Sequence, residues 1–268
     1  MPRYPLRSAS FNTLGVCTKI GLFLHSMITK IIGSIASRSQ WFRRELLTIQ
    51  QWHSEEIAYT RLAENGFSPG SIIDIGANNG SWSRLIRKVF EKNLILMIEA
   101  RAEEEKALKN TCQDLLNANY IISLLGSSGQ EKVSFSVHGS GSSIFSELSN
   151  APRSFSNLKM KTLDEITSEL HLNDPIFLKL DVQGAELEVL KGAANILTRS
   201  EVVQLEVALL DYNQGAPTFA DVVTFMDKRN YHVFDIAGFI KPNKIDLSHI
   251  DVLFVQRSSK LRDVKFVF

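Results

Sequence analysis

The run Ser71-Ile72-Ile73-Asp74-Ile75, followed at once by Gly76-Ala77-Asn78-Asn79-Gly80 and a helix-forming stretch over 81–90, constrains the fold more than any other feature. Five residues of mostly apolar character have the length of a buried strand, and two glycines four apart allow a tight turn into a helix. The same alternation recurs along the chain. Strands are expected at 94–98, 120–125, 176–180, 202–207, 231–236 and 252–256, and helices at 103–116, 185–197 and 219–229. A hairpin strand at 132–137 leads into a Gly/Ser-rich loop from His138 to Ser143. Strands alternating with helices imply βαβ units. The expected fold is α/β and Rossmann-like, a mostly parallel seven-stranded sheet with helices on both faces.

The 268 residues divide on composition into an N-terminal basic, amphipathic helical extension, 1–60, and a larger domain, 61–268. Residues 1–50 hold seven bases and one acid, a net +6; the remainder holds 23 bases and 28 acids, a net −5. A slightly acidic body is a poor partner for phosphate backbones, so no nucleic acid is expected as substrate. The apolar stretch 20–35 is interrupted by His25 and Lys30 and is shorter than the ~20 residues a membrane span needs. Packing of the extension on the domain or on a second copy of the chain is the simpler expectation. Contact with an anionic membrane surface is the alternative. Cys17 and Cys112 form no spaced motif and read as free thiols of a reducing compartment. The expected location is therefore cytoplasmic, free or peripheral at the membrane.

In a doubly wound sheet, ligands bind at the carboxyl ends of the strands. Asp74 and the Gly76–Gly80 turn stand at such an end, and the helix beginning near Ser81 offers backbone N–H groups. The glycine spacing is not that of a dinucleotide fingerprint. Asp74 suits instead a ligand with a cationic end, such as the amino group and sulfonium of S-adenosylmethionine. Glu99 ends the next strand 25 residues later, where an acid is expected to pair with ribose hydroxyls. Taken alone, either feature is also what an empty turn and a solvated acid would look like; together they point to a nucleoside.

A second constellation is Phe177-Leu178-Lys179-Leu180-Asp181-Val182-Gln183-Gly184-Ala185-Glu186. Asp181 and Glu206, each near the end of a core strand, are expected to open into one cleft, because unpaired buried carboxylates are costly. Glu186 falls in a first helical turn, where the helix dipole alone explains an acid.

Asp74-Ile75-Gly76-Ala77-Asn78-Asn79-Gly80, Ile98-Glu99, Thr162-Leu163-Asp164 and the block from Leu178 to Ala193 resemble, in order, the signature segments of FkbM-type methyltransferases. Gln204-Leu205-Glu206-Val207 and Asp251-Val252-Leu253-Phe254-Val255 fit as well, so the resemblance spans roughly 60–257. It implies a class I methyltransferase fold, S-adenosylmethionine as cofactor, and methylation of a hydroxyl on a sugar, glycan, glycolipid or polyketide-type small molecule. The cofactor contacts expected on this basis are Asp74, Gly76, Ala77, Asn78, Gly80, Glu99, Ala100 and Gly126. Two departures stand out: Gln183 replaces the family's usual Glu, and Ala100-Arg101 follows Glu99 where Pro is common. The second is expected to alter only the loop.

Methylating an alcohol requires alignment and a proton acceptor. Asp181 and Glu206 are the candidates by position, with His138 of the Gly/Ser loop a third; a lone histidine is more often structural. A divalent ion held by Asp181, Glu206 and Glu186 is an alternative use of these carboxylates, but no dense acidic cluster calls for a metal and none is expected. The rival functions are a non-catalytic nucleoside-binding module and a nicotinamide-dependent dehydrogenase.

Overall fold

The computed structural model describes residues 55–137, 139, 141–145, 154–210, 213–242 and 245–262. His138 and all but the last residues of the N-terminal extension lie outside the described residues.

Seven strands form the central sheet: β1 (Ser71–Ile75), β2 (Leu94–Glu99), β3 (Ala118–Ile122), β7 (Ile176–Leu180), β8 (Ser200–Ala208), β9 (Tyr231–Ile240) and β10 (His249–Gln256). Their order is β3-β2-β1-β7-β8-β10-β9. All pairs from β3 through β8 are parallel, whereas β10 runs antiparallel to both β8 and β9. The sheet is thus mixed, with one reversed strand. The chain order reverses between β1 and β7, where a switch point opens a crevice.

Both faces of the sheet are covered, which is why the strands read as nearly continuous apolar runs. Ile73, Ile75, Leu178, Leu180, Val203 and Leu205 pack toward α4 (Glu186–Lys191), α5 (Ala194–Arg199) and α6 (Phe219–Asp227). Ile72, Ile95, Met97, Phe177 and Val202 pack on the other face with Tyr59 and Leu62 of the helical segment 55–64, with α1 (Ser81–Arg87) and with α2 (Glu105–Asp114).

Three sequence expectations change. The single strand expected at 120–125 is two: Ser123 N–H donates to the Glu99 carbonyl at 2.8 Å, the chain bends, and β4 (Leu124–Leu125) joins a second sheet. That sheet has the order β4-β6-β5, with β5 at Gln130–Val137 and β6 at Ser154–Lys161, the latter unforeseen. The helix expected at 185–197 is broken at Gly192. A Cβ there would lie 2.2 Å from the Gly126 carbonyl, so a continuous helix of ordinary residues does not fit. The carboxylate of Asp164, in α3 (Leu163–Thr167), accepts from Asn195 and Ile196 N–H at 2.9 and 3.1 Å and caps α5 from outside.

Candidate functional site

A cavity of about 770 Å³ opens at the carboxyl ends of β1, β2, β7 and β8 and is walled on one side by Leu124, Leu125 and Phe135 of the small sheet. Its size suits a cofactor or a drug-sized ligand. Gly76, Asn78, Glu99 and Ala100 line it, as do Asp181 and Glu206. The other expected cofactor contacts do not.

Asp74 is the main correction. Strand register sets it opposite Lys179, on the face beneath α1, and its side chain is fully buried. It accepts from Ser83 Oγ at 2.8 Å and pairs with Lys179 Nζ at 3.1 Å, so it serves a buried ion pair and does not line this cavity. Ala77 belongs to the core on that same face. Gly80 faces Thr111, whose methyl a Cβ would meet at 2.7 Å, and Gly126 is pressed against Met160. These two glycines allow close packing, away from the cavity. The N–H of Ser81, expected to face a ligand, donates to Asn79 Oδ1 at 3.1 Å.

Gly76 is required for a different reason. It takes φ +73°, and a Cβ would stand 1.8 Å from the carbonyl oxygen of Asp181. Asp181 N–H in turn donates to the Ile75 carbonyl at 3.0 Å. The first turn and the Asp181 loop therefore touch backbone to backbone.

At the β2 end of the cavity, Glu99 Oε2 accepts the Asn78 N–H at 2.7 Å, and Oε1 accepts from the N–H and Nε of Arg101 at 3.0 and 3.2 Å. Arg101 also donates to Asn78 Oδ1 at 3.0 Å and pairs with Glu104 at 3.2 Å. Arg101 is 6% exposed and lines the cavity, so it organises this wall and is more than a loop variation. The signal in the sequence was a cation two residues after a strand-ending acid. Charge-assisted pairing of this kind fixes the Glu99 carboxylate in one orientation.

At the other end, Gln183 Nε2 donates to Asp181 Oδ1 at 3.0 Å and to Glu206 Oε2 at 2.6 Å, bridging two carboxylates that line the same cavity. Gln183 takes φ +54°, and its carbonyl is held by Asn213 Nδ2 at 2.7 Å and Ser143 Oγ at 2.9 Å. Burial pushes the Asp181 carboxyl upward, but the Lys179 ammonium at 3.7 Å, with hydrogen bonds from Glu206 and Gln183, holds it below the ordinary carboxylate range. Burial and then the Asp181 charge drive Glu206 the other way, well above its usual value. Two carboxyls pushed apart in this manner mark a site that can hold and move one proton. Burial works against the Lys179 ammonium, yet Asp74 and Asp181 keep its pKa above the lysine norm.

Glu186 plays a local part. Its Oε1 accepts from Val182 and Gly184 N–H at 2.9 and 3.2 Å, tying down the turn that presents Gln183, while burial lifts its pKa to about 7. His249 lies before the strand expected at 252–256 and is not among the candidate residues; it is the first residue of β10. Because β10 is reversed, its first residue comes to the carboxyl edge, and His249 lines the cavity beside Asp181 and Glu206. Its Nδ1 lies 3.0 Å from Ser248 Oγ; burial lowers its pKa, with the Asp181 charge opposing. Among the described residues, no group of three or more His, Cys, Asp or Glu could hold a metal ion. No described helix is long and apolar enough to cross a membrane.

The sequence pattern of the methyltransferase FkbM domain matches residues 74–233, more than half of the chain. A comparison with curated proteins gives no match. Among solved structures, the plantazolicin methyltransferase BamL, in complex with a triazolic desmethylPZN analog and SAH, is 11% identical at a TM-score of 0.47, with 81% of this chain and 89% of that one covered. Magnesium protoporphyrin IX methyltransferase from Synechocystis PCC 6803 is 11% identical at a TM-score of 0.44, covering 77% and 79%. Precorrin-6y C5,15-methyltransferase from Geobacter metallireducens GS-15 is 14% identical at 0.42, covering 74% and 86%. With the domain match laid over a Rossmann-like sheet and its crevice, the chain belongs to the FkbM family of S-adenosylmethionine-dependent methyltransferases.

Proposed function

We infer that the protein methylates a hydroxyl group of a small molecule, in the class of sugars, glycans, glycolipids and polyketides. The observation that carries this reading is the Asp181–Gln183–Glu206 array on the cavity wall, backed by Lys179. An alcohol is a weak nucleophile and needs an acceptor for its proton, which a carboxylate pair of unequal basicity can provide.

The residues present fit the cofactor. Glu99, fixed by Arg101, offers a carboxylate for a ribose diol, and Ala100, Leu124, Leu125 and Phe135 offer an apolar slot for a purine. Bound S-adenosylmethionine supplies an electrophilic methyl group. The chain's own residues do the rest. Asp181, ionised under the influence of Lys179, accepts the hydrogen bond of the acceptor hydroxyl and takes its proton as the oxygen attacks. Glu206 in its protonated form and the Gln183 amide hold that carboxylate in place, and the Gly76 turn sets its distance from the cofactor side of the cavity. Much of the rate comes from this alignment.

Transfer of a labelled methyl group to a panel of sugar, glycolipid and polyketide alcohols tests the reading. Methylation of nitrogen, carbon or carboxylate acceptors, with every alcohol left untouched, would overturn it.

A further inference from the structure

A second, smaller cavity of about 350 Å³ adjoins the first, and the two share Gln183, Glu206, Leu210 and His249 in their walls. Away from that shared polar end, its lining is mostly apolar: Ala208, Leu209, Leu210, Ala216, Pro217 and Phe219. Leu209, Leu210 and Phe219 are 38%, 53% and 37% exposed, so large apolar side chains stand at its mouth without cover. Leu210 reaches both cavities, which makes the apolar wall continuous with the carboxylate pair. Asn213 lines the same space and is buried; its amide nitrogen is committed to the Gln183 carbonyl, and its Oδ1 has no hydrogen-bond partner among the described residues. Buried acceptors of this kind are normally met by a ligand or an ordered water.

We propose that the smaller cavity is the acceptor subsite, and that it takes a hydroxyl-bearing molecule with an extended apolar body. The hydroxyl sits at the shared end, beside Gln183, Glu206 and His249, and points into the larger cavity toward Asp181, the neighbour of Gln183. The apolar body lies along Leu209, Leu210, Pro217 and Phe219. This rests on the hydroxyl methylation inferred above and adds the side from which the acceptor enters and the character of its far end. The nucleoside wall, at Asn78, Glu99 and Arg101, belongs to the larger cavity alone, so cofactor and acceptor meet only where the two spaces join.

The test uses the full chain with methyl and octyl β-D-glucopyranoside as probes, below the micellar concentration of the latter, with and without S-adenosylhomocysteine. Burial of an alkyl chain predicts about tenfold or more tighter binding of the octyl probe. Ala220 also lines the subsite and is exposed in the first turn of α6, outside the capping box of Thr218 and Asp221. Ala220→Trp should fill the subsite without harming the fold. It is expected to erase the octyl advantage while leaving S-adenosylhomocysteine affinity within about twofold, since that ligand occupies the other cavity. Equal affinity for the two glucosides, or an octyl advantage that survives Ala220→Trp, overturns the proposal and leaves hydroxyl methylation standing. An octyl advantage lost in Ala220→Trp supports the subsite even if no alcohol is methylated, in which case the reaction reading alone fails.

Discussion

Gln183 donates a 2.6 Å hydrogen bond to Glu206 and, from the same amide nitrogen, a 3.0 Å one to Asp181. An amide there adds no charge to the pair in which Asp181 is pushed below and Glu206 above the ordinary carboxylate range. Gln183→Glu would place a third carboxyl in contact with both. Like charges raise carboxyl pKa values, so the acidic limb of the kcat–pH profile should move to higher pH. A profile unchanged in position would show that the pair does not govern the proton-accepting step.

Asp181→Asn removes the proposed proton acceptor but keeps its shape. Methyl transfer should fall by about 10²-fold or more, while S-adenosylhomocysteine affinity stays nearly intact. Wild-type turnover would dismiss Asp181 and turn attention to His249. Recovery of activity with added Mg²⁺ or Mn²⁺ would instead favour a metal held by these carboxylates.

Lys179 is buried between Asp74 and Asp181. Lys179→Met strands the fully buried Asp74 carboxylate, and removing one partner of a buried pair typically costs about 3–5 kcal/mol. The double variant Asp74→Asn, Lys179→Met should recover much of that loss in denaturant unfolding. Additive losses would mean the two residues do not stabilise each other.

Glu99→Ala removes the carboxylate proposed for the ribose hydroxyls and frees both Asn78 and Arg101. Calorimetry should show S-adenosylhomocysteine binding weakened by about 1–3 kcal/mol through lost charge-assisted hydrogen bonds. Unchanged affinity would place the nucleoside elsewhere.

Asp251 pairs with Glu206 across β8 and β10 and lies near Glu55 and Gln204, where burial, followed by the Glu55 charge, lifts its pKa to about 7. A carboxyl whose folded pKa is raised favours the fold while protonated. That contribution is complete below its unfolded pKa of about 4 and is lost as pH rises through about 7. Asp251→Asn keeps an acceptor for Gln204 without the charge. Its Tm should therefore exceed that of the wild type at pH 8 by several degrees, on the order of 2–4 °C per kcal/mol, with the gain shrinking toward pH 4. A gain that grows toward acid would reverse the assignment.

The sheet was largely legible because its strands are short apolar runs closed by turn residues. Residues 71–75 and 176–180 are strands at both ends as read, since Gly70 and Gly76 bound the first and Pro175 and Asp181 the second. The strand Ser154–Lys161 escaped notice because its apolar residues, Phe155, Leu158 and Met160, are separated by polar ones, and only Met160 is buried. The site was half legible. Asp181 and Glu206 converge as expected because each lies close to a parallel-strand terminus. Asp74 has the same local signature as Glu99 and, opposite Met97, shares its face; it stops one residue short of its strand end and is covered by Ser83 of α1, whereas Glu99 is the last residue of its strand and opens into the cavity. His249 was hidden because the reversal of β10 is a fact of pairing, invisible in a string that simply reads as another strand.

The contact between Gly76 and the Asp181 carbonyl has a mechanical consequence. With no room for a methyl group between them, the loop carrying the proposed proton acceptor and the Gly76 turn pack main chain against main chain. The spacing between Asp181 and the Gly76 turn is therefore gauged by a backbone stop at the centre of the sheet, so the proposed proton acceptor is positioned by main chain and not by a side-chain rotamer.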